Sequence, residues 1–199
     1  PPPLGRPGGN NDRLKERKIF RSFFGGSAPA FLTGASFLCY YIYMRRKDRE
    51  LSYEEGLKII DKCEYATLSV NDGDVPYCVP LSVCRKGTDV FFHSADAGRK
   101  TELLKDGTPV RMVFVGDVEA QKNAFTTAYE SAIAVGKVYA VISDAEKISA
   151  LRLLSEKYCP ENMAAFDKSI ERSLGRTNVY RVSMESVTAK AKRVKRAQE

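Results

Sequence analysis

The spacing of apolar residues predicts a domain of short strands with a few helices between and around them. Six segments have the β-branched and aromatic composition of strands, and turn residues separate most of them. These segments are residues 65–70, 75–84, 90–93, 110–115, 131–142 and 178–189. The last segment alternates apolar Tyr180, Val182 and Met184 with polar neighbours, which predicts one buried and one exposed face.

Helical signals occur at four places along the chain. Ser52 and Glu55 form a capping box ahead of an apolar helix. Gly98 precedes a short helix, Asp144 is predicted to cap a longer one, and residues 162–174 predict the last. Strands joined mostly by turns, with helices at their side, predict a mainly β (α+β) fold. We expect a six-stranded antiparallel split β-barrel with flanking helices.

Two prolines interrupt the second predicted strand. The turn over residues 71–74 predicts a hairpin between the first strand and the second. Pro76 and Pro80 remove two ladder donors from the returning strand, so we expect this strand to be irregular or to lie at a sheet edge. Gly136, within the fifth strand, predicts a bulge or a bend.

The first 43 residues differ from the rest of the chain. Residues 1–11 are rich in Pro, Gly and Asn and predict disorder, and a basic and then an apolar stretch follow. This order fits a targeting segment or a membrane-surface anchor. We favour a non-native extension over residues 1–43, because a clean domain pattern begins directly after Met44. We expect one domain over residues 44–189 and a basic tail over residues 190–199.

The positive charge is concentrated at the two ends of the chain. The formal net charge is +7, with +4 in residues 1–43, +4 in residues 190–199 and −1 in between. A nearly neutral body lacks the basic groove that nucleic-acid binding needs. No apolar run reaches 18 residues, so we expect no membrane span.

The cysteine and histidine content argues against a metal site. Five cysteines form no CxxC pair, and the chain has a single histidine. Neither a zinc site nor a disulfide framework is expected from such a set. A reducing, cytoplasmic compartment is the simplest interpretation.

A basic pair at a helix start is the first candidate for chemistry. Arg99 and Lys100 follow Gly98, where free backbone N–H groups and the positive end of the helix dipole point to one place. An arginine fork and a lysine charge suit a phosphate there, and Ser94 could add a hydroxyl. The proline-broken strand leaves backbone groups that could read the edge of a flat ring. Together they describe an FMN site, with a solvated basic pair and an ordinary edge strand as the alternatives.

Four motifs resemble the 5-nitroimidazole-resistance (Nim) family. They are MRRKDRE at residues 44–50, PYCVPL at 76–81, HSADAGRK at 93–100 and YESAI at 129–133. That family belongs to the flavin-binding split barrels related to pyridoxamine 5′-phosphate oxidase. The resemblance runs from about Met44 to Lys190. It departs at two positions, since Glu130 stands where a basic residue is common and Ala189 stands where glycine is common.

The resemblance implies a homodimer that binds FMN in a groove between its subunits. The residues expected to line the flavin ring, mainly through their backbone, are Val79, Pro80, Leu81 and Ser82. Those expected along the ribityl chain and the phosphate are Phe92, His93, Ser94, Arg99 and Lys100. Ser131 would face the cofactor of its own or of the partner subunit.

His93 is the one candidate for a catalytic residue. Its ring would contact the phosphate, lie near a reactive carbonyl substrate or ligate a haem, and the alternative is a strand histidine bound to a backbone carbonyl. Four cysteines are expected to be buried and inert, with Cys78 the exception worth testing: Cys63, Cys78, Cys84 and Cys159. Four aromatic residues are expected in the core or in a dimer interface: Tyr65, Phe125, Tyr129 and Tyr139.

Two functional hypotheses follow from the resemblance. The first is a flavin-dependent oxidoreductase that takes electrons from NAD(P)H and reduces a small acceptor, nitroaromatic compounds included. The second is a non-catalytic module that binds flavin or haem. A homodimer without any cofactor is a third interpretation, and the fold alone does not choose between them. In each case we expect no nucleic-acid partner and no membrane partner.

Overall fold

The computed structural model describes residues 44–193. Within them, an antiparallel sheet of eight strands is flanked by four α-helices. The predicted mainly β class with helices at its side is confirmed. The strand count rises from six to eight for two reasons. The predicted segment 75–84 divides at a corner after Leu81, and residues 50–51 add a two-residue strand.

The elements have the following bounds. The strands are β1 (Glu50–Leu51), β2 (Ala66–Asp72), β3 (Val75–Leu81), β4 (Cys84–Lys86), β5 (Asp89–Ala95), β6 (Thr108–Gln121), β7 (Thr126–Ala140) and β8 (Thr177–Lys192). The helices are α1 (Tyr53–Lys62), α2 (Arg99–Leu103), α3 (Asp144–Tyr158) and α4 (Phe166–Ser173). Short 3₁₀ turns cover Lys47–Arg49, Pro160–Ala165 and Leu174–Arg176.

The sheet is open. Its order is β3-β2-β6-β7-β8-β5-β4, and β1 pairs with the end of β8. Within residues 44–193, the edge strands are therefore β3 and β4, and β3 is bonded to β2 alone, from Ala66 opposite Leu81 to Asp72 opposite Val75. The edge position that the two prolines predicted for this strand is confirmed.

The bulge expected at Gly136 is also confirmed. The register between β7 and β8 shifts between Val135 and Gly136. A Cβ at Gly136 would overlap the carbonyl oxygen of Ser183, so the close approach of the two strands requires glycine here.

The core has two parts. The main cluster fills the space between α1 and the inner face of the sheet, and its largest fully buried side chains are Phe92, Phe114, Ile60, Leu68 and Met112. A smaller cluster packs α3 against the other face of β5 and β8, and it contains Phe91, Val141, Ala150, Leu154 and Val179. Both faces of β5 are therefore covered by protein over part of its length.

Two helix starts test the capping predictions. The capping box of α1 is confirmed: Ser52 Oγ accepts from the N–H of Glu55 at 3.2 Å, and Glu55 accepts from the N–H of Ser52 at 3.1 Å. The prediction that Asp144 caps α3 is wrong by one position, because Ser143 is the N-cap and Asp144 is the first helical residue. The helix predicted over residues 162–174 divides into 3₁₀, α and 3₁₀ segments.

The ends of the described range bear on the expected domain limits. β8 continues to Lys192, so Lys190 and Lys192 belong to the sheet, although both were expected in a tail. The predictions for residues 1–43 and 194–199 lie outside the described residues. Between residues 44 and 193, no helix is long and apolar enough to cross a membrane.

Burial contradicts part of the cysteine prediction and bears on the aromatic one. Cys63 and Cys84 are buried as expected, and burial raises the pKa of the Cys84 thiol to about 11. The prediction is wrong for Cys78 and Cys159, which are exposed, because Cys78 lies on the outward side of an edge strand and Cys159 follows the end of α3. Two aromatic side chains expected in the core or a dimer interface, Tyr65 and Phe125, are exposed on the single chain, which excludes the core for them and leaves the interface a prediction.

Candidate cofactor site

In the described part of the chain, the edge strand β3 has no strand paired to its outer side. The side chains that turn toward the main core are Tyr77, Val79 and Leu81, and those exposed are Pro76, Cys78 and Pro80. A strand bonded to one neighbour directs the backbone groups of alternate residues away from that neighbour. Because proline has no N–H to donate, we assign Pro76, Cys78 and Pro80 to the outward set. The N–H of Cys78 and the three carbonyls on that side are then free for a ligand.

The corner that follows β3 is held by the end of α3. Tyr158 Oη accepts from the N–H of Val83 at 2.9 Å and donates to the carbonyl of Glu64 at 2.5 Å. Lys157 Nζ donates to the carbonyls of Cys63 at 2.8 Å and Val83 at 3.0 Å. Burial lowers the pKa of Lys157 and raises that of Tyr158. Two side chains of one helix thus fix the backbone next to the predicted ring-lining residues.

Strand β5 directs its predicted site residues to opposite faces. Phe92 and Ser94 turn inward, where Phe92 is fully buried and stacks on Tyr180 with 5.3 Å between ring centroids. Ser94 is also buried. His93 turns to the opposite face, toward α3 and α4. One ligand therefore cannot touch the side chains of both His93 and Ser94 from a single face of β5.

His93 and Ser82 line the same cavity of about 420 Å³, which we call the helix cavity. Its other walls come from α3, α4 and the 3₁₀ turn between them, with apolar side chains that include Leu151, Leu154, Met163, Phe166 and Ile170. Among the described residues, none forms a hydrogen bond with the His93 ring. Desolvation by surrounding protein, and to a smaller extent the Lys100 ammonium, lower the pKa of His93. The ring nitrogens are available to a ligand.

Arg99 is tied to the β2–β3 hairpin. Its Nε donates to Asp72 Oδ2 at 2.8 Å, a second nitrogen contacts the same carboxylate, and Nη1 donates to Glu102 at 2.9 Å. The two carboxylates raise the pKa of Arg99. Since Asp72 pairs with Val75, the guanidinium lies at the beginning of β3.

Lys100 takes a different direction from its neighbour. Its Nζ lies 5.9 Å from the ring centroid of Phe92, and burial lowers the pKa of the ammonium. The basic pair is thus divided between an exposed guanidinium in an ion-pair network and a half-buried ammonium against the core.

Ser131 lies in a second cavity, of about 300 Å³, which we call the sheet cavity. It is formed by β7, β8 and the segment that begins at Met44, and Ser131 faces Lys190 across the two strands. None of the other predicted cofactor residues lines it. Within one chain, the structure therefore does not bring Ser131 together with them.

The two departures from the family pattern have local partners. Glu130 turns to the face opposite Ser131, where its largely buried carboxylate contacts Lys62, which also donates to Asp117 at 2.5 Å. Ala189 is buried against Gly56 of α1, where an added Cβ would lie 3.1 Å from that of Ala189. Both positions serve the packing of α1 on the sheet.

Sequence reasoning missed the residues that hold the site in place. Lys157 and Tyr158 looked like ordinary helix positions, and nothing in their spacing indicates contacts with the corner after β3. Asp72 was recognised only as a turn residue. A carboxylate at a hairpin turn gives no sign of the distant arginine that it binds until the fold is known.

The comparison with family models decides the wider relationship. The model described as pyridoxamine 5′-phosphate oxidase matches residues 52–191. The chain belongs to this family. The match begins at the N-cap of α1 and ends one residue before the end of β8, so it takes in seven of the eight described strands. The comparison with curated proteins found no match.

Solved structures share the fold of this pyridoxamine 5′-phosphate oxidase family member. An FAD and heme binding protein from Mycobacterium smegmatis is 19% identical, with a TM-score of 0.64 over 76% of this chain and 77% of that one. The flavocytochrome Anf3 from Azotobacter vinelandii is 20% identical, with a TM-score of 0.62 over 79% and 75%. A candidate 5-nitroimidazole antibiotic resistance protein from Bacteroides thetaiotaomicron is 20% identical, with a TM-score of 0.58 over 71% and 86%. The resemblance noted in the sequence is confirmed.

Proposed function

We propose that this member of the pyridoxamine 5′-phosphate oxidase family is a cytoplasmic, homodimeric FMN protein. It takes electrons from NAD(P)H and reduces a small acceptor, nitroaromatic compounds included. Bound flavin would supply the electron-transfer chemistry, while the chain supplies binding, orientation and electrostatics. Support comes from the family match and from relatives whose names include flavin or nitroimidazole resistance.

The free side of β3, with Arg99 at its beginning, carries this proposal. From Val75 to Pro80 the strand rises by about 17 Å, at about 3.3 Å per residue. A cation stands at one end of this length, and unpaired backbone groups follow toward the other. Such an arrangement suits an elongated ligand with an anionic end and a flat end that forms hydrogen bonds.

To bind the anionic end of the ligand, Arg99 must exchange one of its ion-pair partners. Its guanidinium is engaged by Asp72 and Glu102, so a phosphate must share or displace one of these carboxylates. Exposed ion pairs of this kind contribute little to stability, so the exchange is inexpensive. Lys100, the next residue of the same helix, adds a second positive charge once its ammonium turns away from the ring of Phe92. At the other end, the outward backbone of β3 binds the ring edge, and Ser82 and His93 lie beside it.

The position of Ser131 favours a homodimer. Within its own chain it lines the sheet cavity, apart from the β3 edge. A contact between Ser131 and the flavin of the β3 edge is then made from a second copy, and a two-fold axis produces two identical composite sites.

Flavin retention after purification tests the phosphate assignment. Arg99→Ala combined with Lys100→Ala should remove the yellow colour, because two charges on the phosphate are lost. The matched control, Arg176→Ala with Lys58→Ala, removes the same charges from exposed positions that form no ion pair within residues 44–193. Full flavin occupancy in the first variant contradicts the proposal. Oxidation of NAD(P)H with a nitroaromatic acceptor then tests turnover.

The helix cavity supports a second candidate function, a flavin- or haem-binding module without turnover. The His93 ring, which forms no hydrogen bond within residues 44–193, faces a cavity lined by apolar and polar side chains, and two relatives are named as an FAD and heme binding protein and a flavocytochrome. A Soret band that His93→Ala abolishes would favour haem. Bound flavin without oxidation of any nicotinamide donor would favour a flavin module.

A further inference from the structure

All three guanidinium nitrogens of Arg99 contact carboxylates of the same chain. Nε donates to Asp72 Oδ2 at 2.8 Å, Nη2 contacts Asp72 Oδ1, and Nη1 donates to Glu102 at 2.9 Å. The contact with Asp72 is bidentate, which is the arrangement in which a guanidinium also binds phosphate. The side of the guanidinium formed by Nε and Nη2 is therefore closed to a phosphate as long as Asp72 holds it.

The two carboxylates differ in what they connect. Glu102 lies three residues from Arg99 on the same helix, and its side chain is 64% exposed. The Asp72 side chain is only 26% exposed, and its backbone pairs with Val75 at the end of the β2–β3 hairpin. The Arg99–Asp72 pair thus joins α2 to the hairpin, and we call this pair the latch.

Lys100 does not offer a phosphate an easier first contact. Its Nζ is 5.9 Å from the ring centroid of Phe92, and burial lowers the pKa of the ammonium. The Arg99 side chain is 53% exposed, so Arg99 is the cation that an arriving phosphate reaches first. Asp72 is then the carboxylate that the phosphate has to displace.

We propose that Asp72 competes with the phosphate of the ligand for Arg99 and thereby limits the affinity of the chain for phosphorylated flavin. This inference rests on the proposed function, because it takes the anion at Arg99 to be the phosphate of FMN. The latch contributes little to the stability of a whole domain, yet a tenfold change in affinity corresponds to only about 1.4 kcal/mol. Opening the latch also releases the β2–β3 turn from α2, so phosphate binding is coupled to the freedom of that turn.

Fluorescence titration of the full chain with FMN tests the competition. Asp72→Asn keeps a residue that suits the turn and removes the charge that holds Arg99, so FMN should bind about threefold to tenfold more tightly. Asp74→Asn is the matched control, because Asp74 lies in the same turn, is exposed and forms no ion pair within residues 44–193. The FMN affinity of this control should stay within about twofold of the unaltered chain.

Riboflavin separates an effect on the phosphate from an effect on the ring, since it carries the same ring without the phosphate. Its affinity for the unaltered chain, Asp72→Asn and Asp74→Asn should agree within about twofold. A gain for riboflavin as large as the gain for FMN would overturn the proposal, because the phosphate would then play no part in it.

The Nε–H resonance of Arg99 in NMR spectra reads the latch without any flavin. Asp72→Asn should shift this resonance, Asp74→Asn should leave it in place, and addition of FMN to the unaltered chain should shift it as well. The resonance is assigned by its loss in Arg99→Lys. A resonance that Asp72→Asn does not shift would show that the latch does not form, and the proposal would fall.

The outcomes distinguish failure of the latch from failure of the proposed function. Flavin that binds equally well to Asp72→Asn and Asp74→Asn, or more weakly to Asp72→Asn, refutes the latch and leaves the proposed function standing. No flavin binding by the unaltered chain or by any variant refutes both. Should Asp72→Asn fail to fold, Asp72→Ser takes its place, because serine also suits a turn and carries no charge.

Discussion

At the scale of single residues, one contact can dictate which amino acid a position accepts. Gly136 is the clearest, because β8 approaches β7 so closely that the carbonyl oxygen of Ser183 occupies the place of a side chain. Neither strand can move away without breaking pairs on both sides of the bulge. Adding a methyl group at Gly136 should therefore destabilise the whole domain.

Gly136→Ala should lower the free energy of unfolding by about 3 kcal/mol or more, as overpacking at a rigid backbone contact does. Urea denaturation of the variant and of Gly175→Ala measures the difference. Gly175 is the matched control, since an added Cβ there has nothing within 4 Å. Equal stability of the two variants would show that the bulge can relax.

His93 gives a pH-dependent prediction because it is the only histidine. Its pKa should be below the ordinary value of 6.5, mainly through desolvation and secondarily through Lys100. Proton NMR titration reads this pKa directly. Lys100→Met should raise it partway toward 6.5, whereas Lys105→Met should not change it. A pKa above 6.5 in the unaltered chain would contradict the environment described.

The direction of the stability effect follows from the same shift. Between its folded pKa and 6.5, His93 binds fewer protons in the folded state than in the unfolded state. Stability should therefore fall as the pH drops through this window and level off below it. His93→Asn should remove that part of the pH dependence.

At the scale of elements, the sequence predicts what local chemistry determines. The hairpin at residues 71–74, the edge position of β3, the capping box of α1 and the bulge at Gly136 all follow from turn residues, prolines and caps. The division of residues 75–84 into two strands does not follow from such local signals. The corner after Leu81 is formed by contacts with α3, some 75 residues later in the chain, and no local pattern encodes them.

The same limit applies to the candidate site. The sequence motifs identified β3, β5 and the start of α2, because the two prolines, the histidine and the basic pair lie within those segments. The alternation of β5 was readable, yet which face would meet α3 depended on tertiary packing. That choice sends His93 to the helix cavity and Ser94 to the core.

Tyr158→Phe tests how much α3 contributes to the corner. The N–H of Val83 would lose its acceptor and the carbonyl of Glu64 its donor, so stability should fall by about 1–3 kcal/mol. Thermal denaturation measures the change. Tyr65→Phe, at a side chain that is 59% exposed, is the control and should change stability by less than about 0.5 kcal/mol. If Tyr158→Phe did not change the stability, water would have to replace the hydroxyl.

At the scale of the whole molecule, the predicted cofactor residues fall into separate groups on one chain. The β3 edge with Arg99 forms one group and Ser131 belongs to another, in the sheet cavity. A homodimer reconciles this separation with a single flavin site, because a two-fold axis can place Ser131 of one subunit against the β3 edge of the other. A flavin site built from one chain and a flavin site built from two chains predict different results when two defective variants are mixed.

Complementation between two defective variants distinguishes them. One variant carries Arg99→Ala and Lys100→Ala, and the other carries Ser131→Trp, whose bulk should block contact with the flavin. Each should bind little flavin alone. If the site combines residues of two subunits, random re-pairing of an equal mixture makes half of the dimers mixed, and each mixed dimer holds one intact site. About one quarter of all sites should then bind FMN. If each site used one chain only, every site would keep a defect, and the mixture would bind no more flavin than the separate variants do.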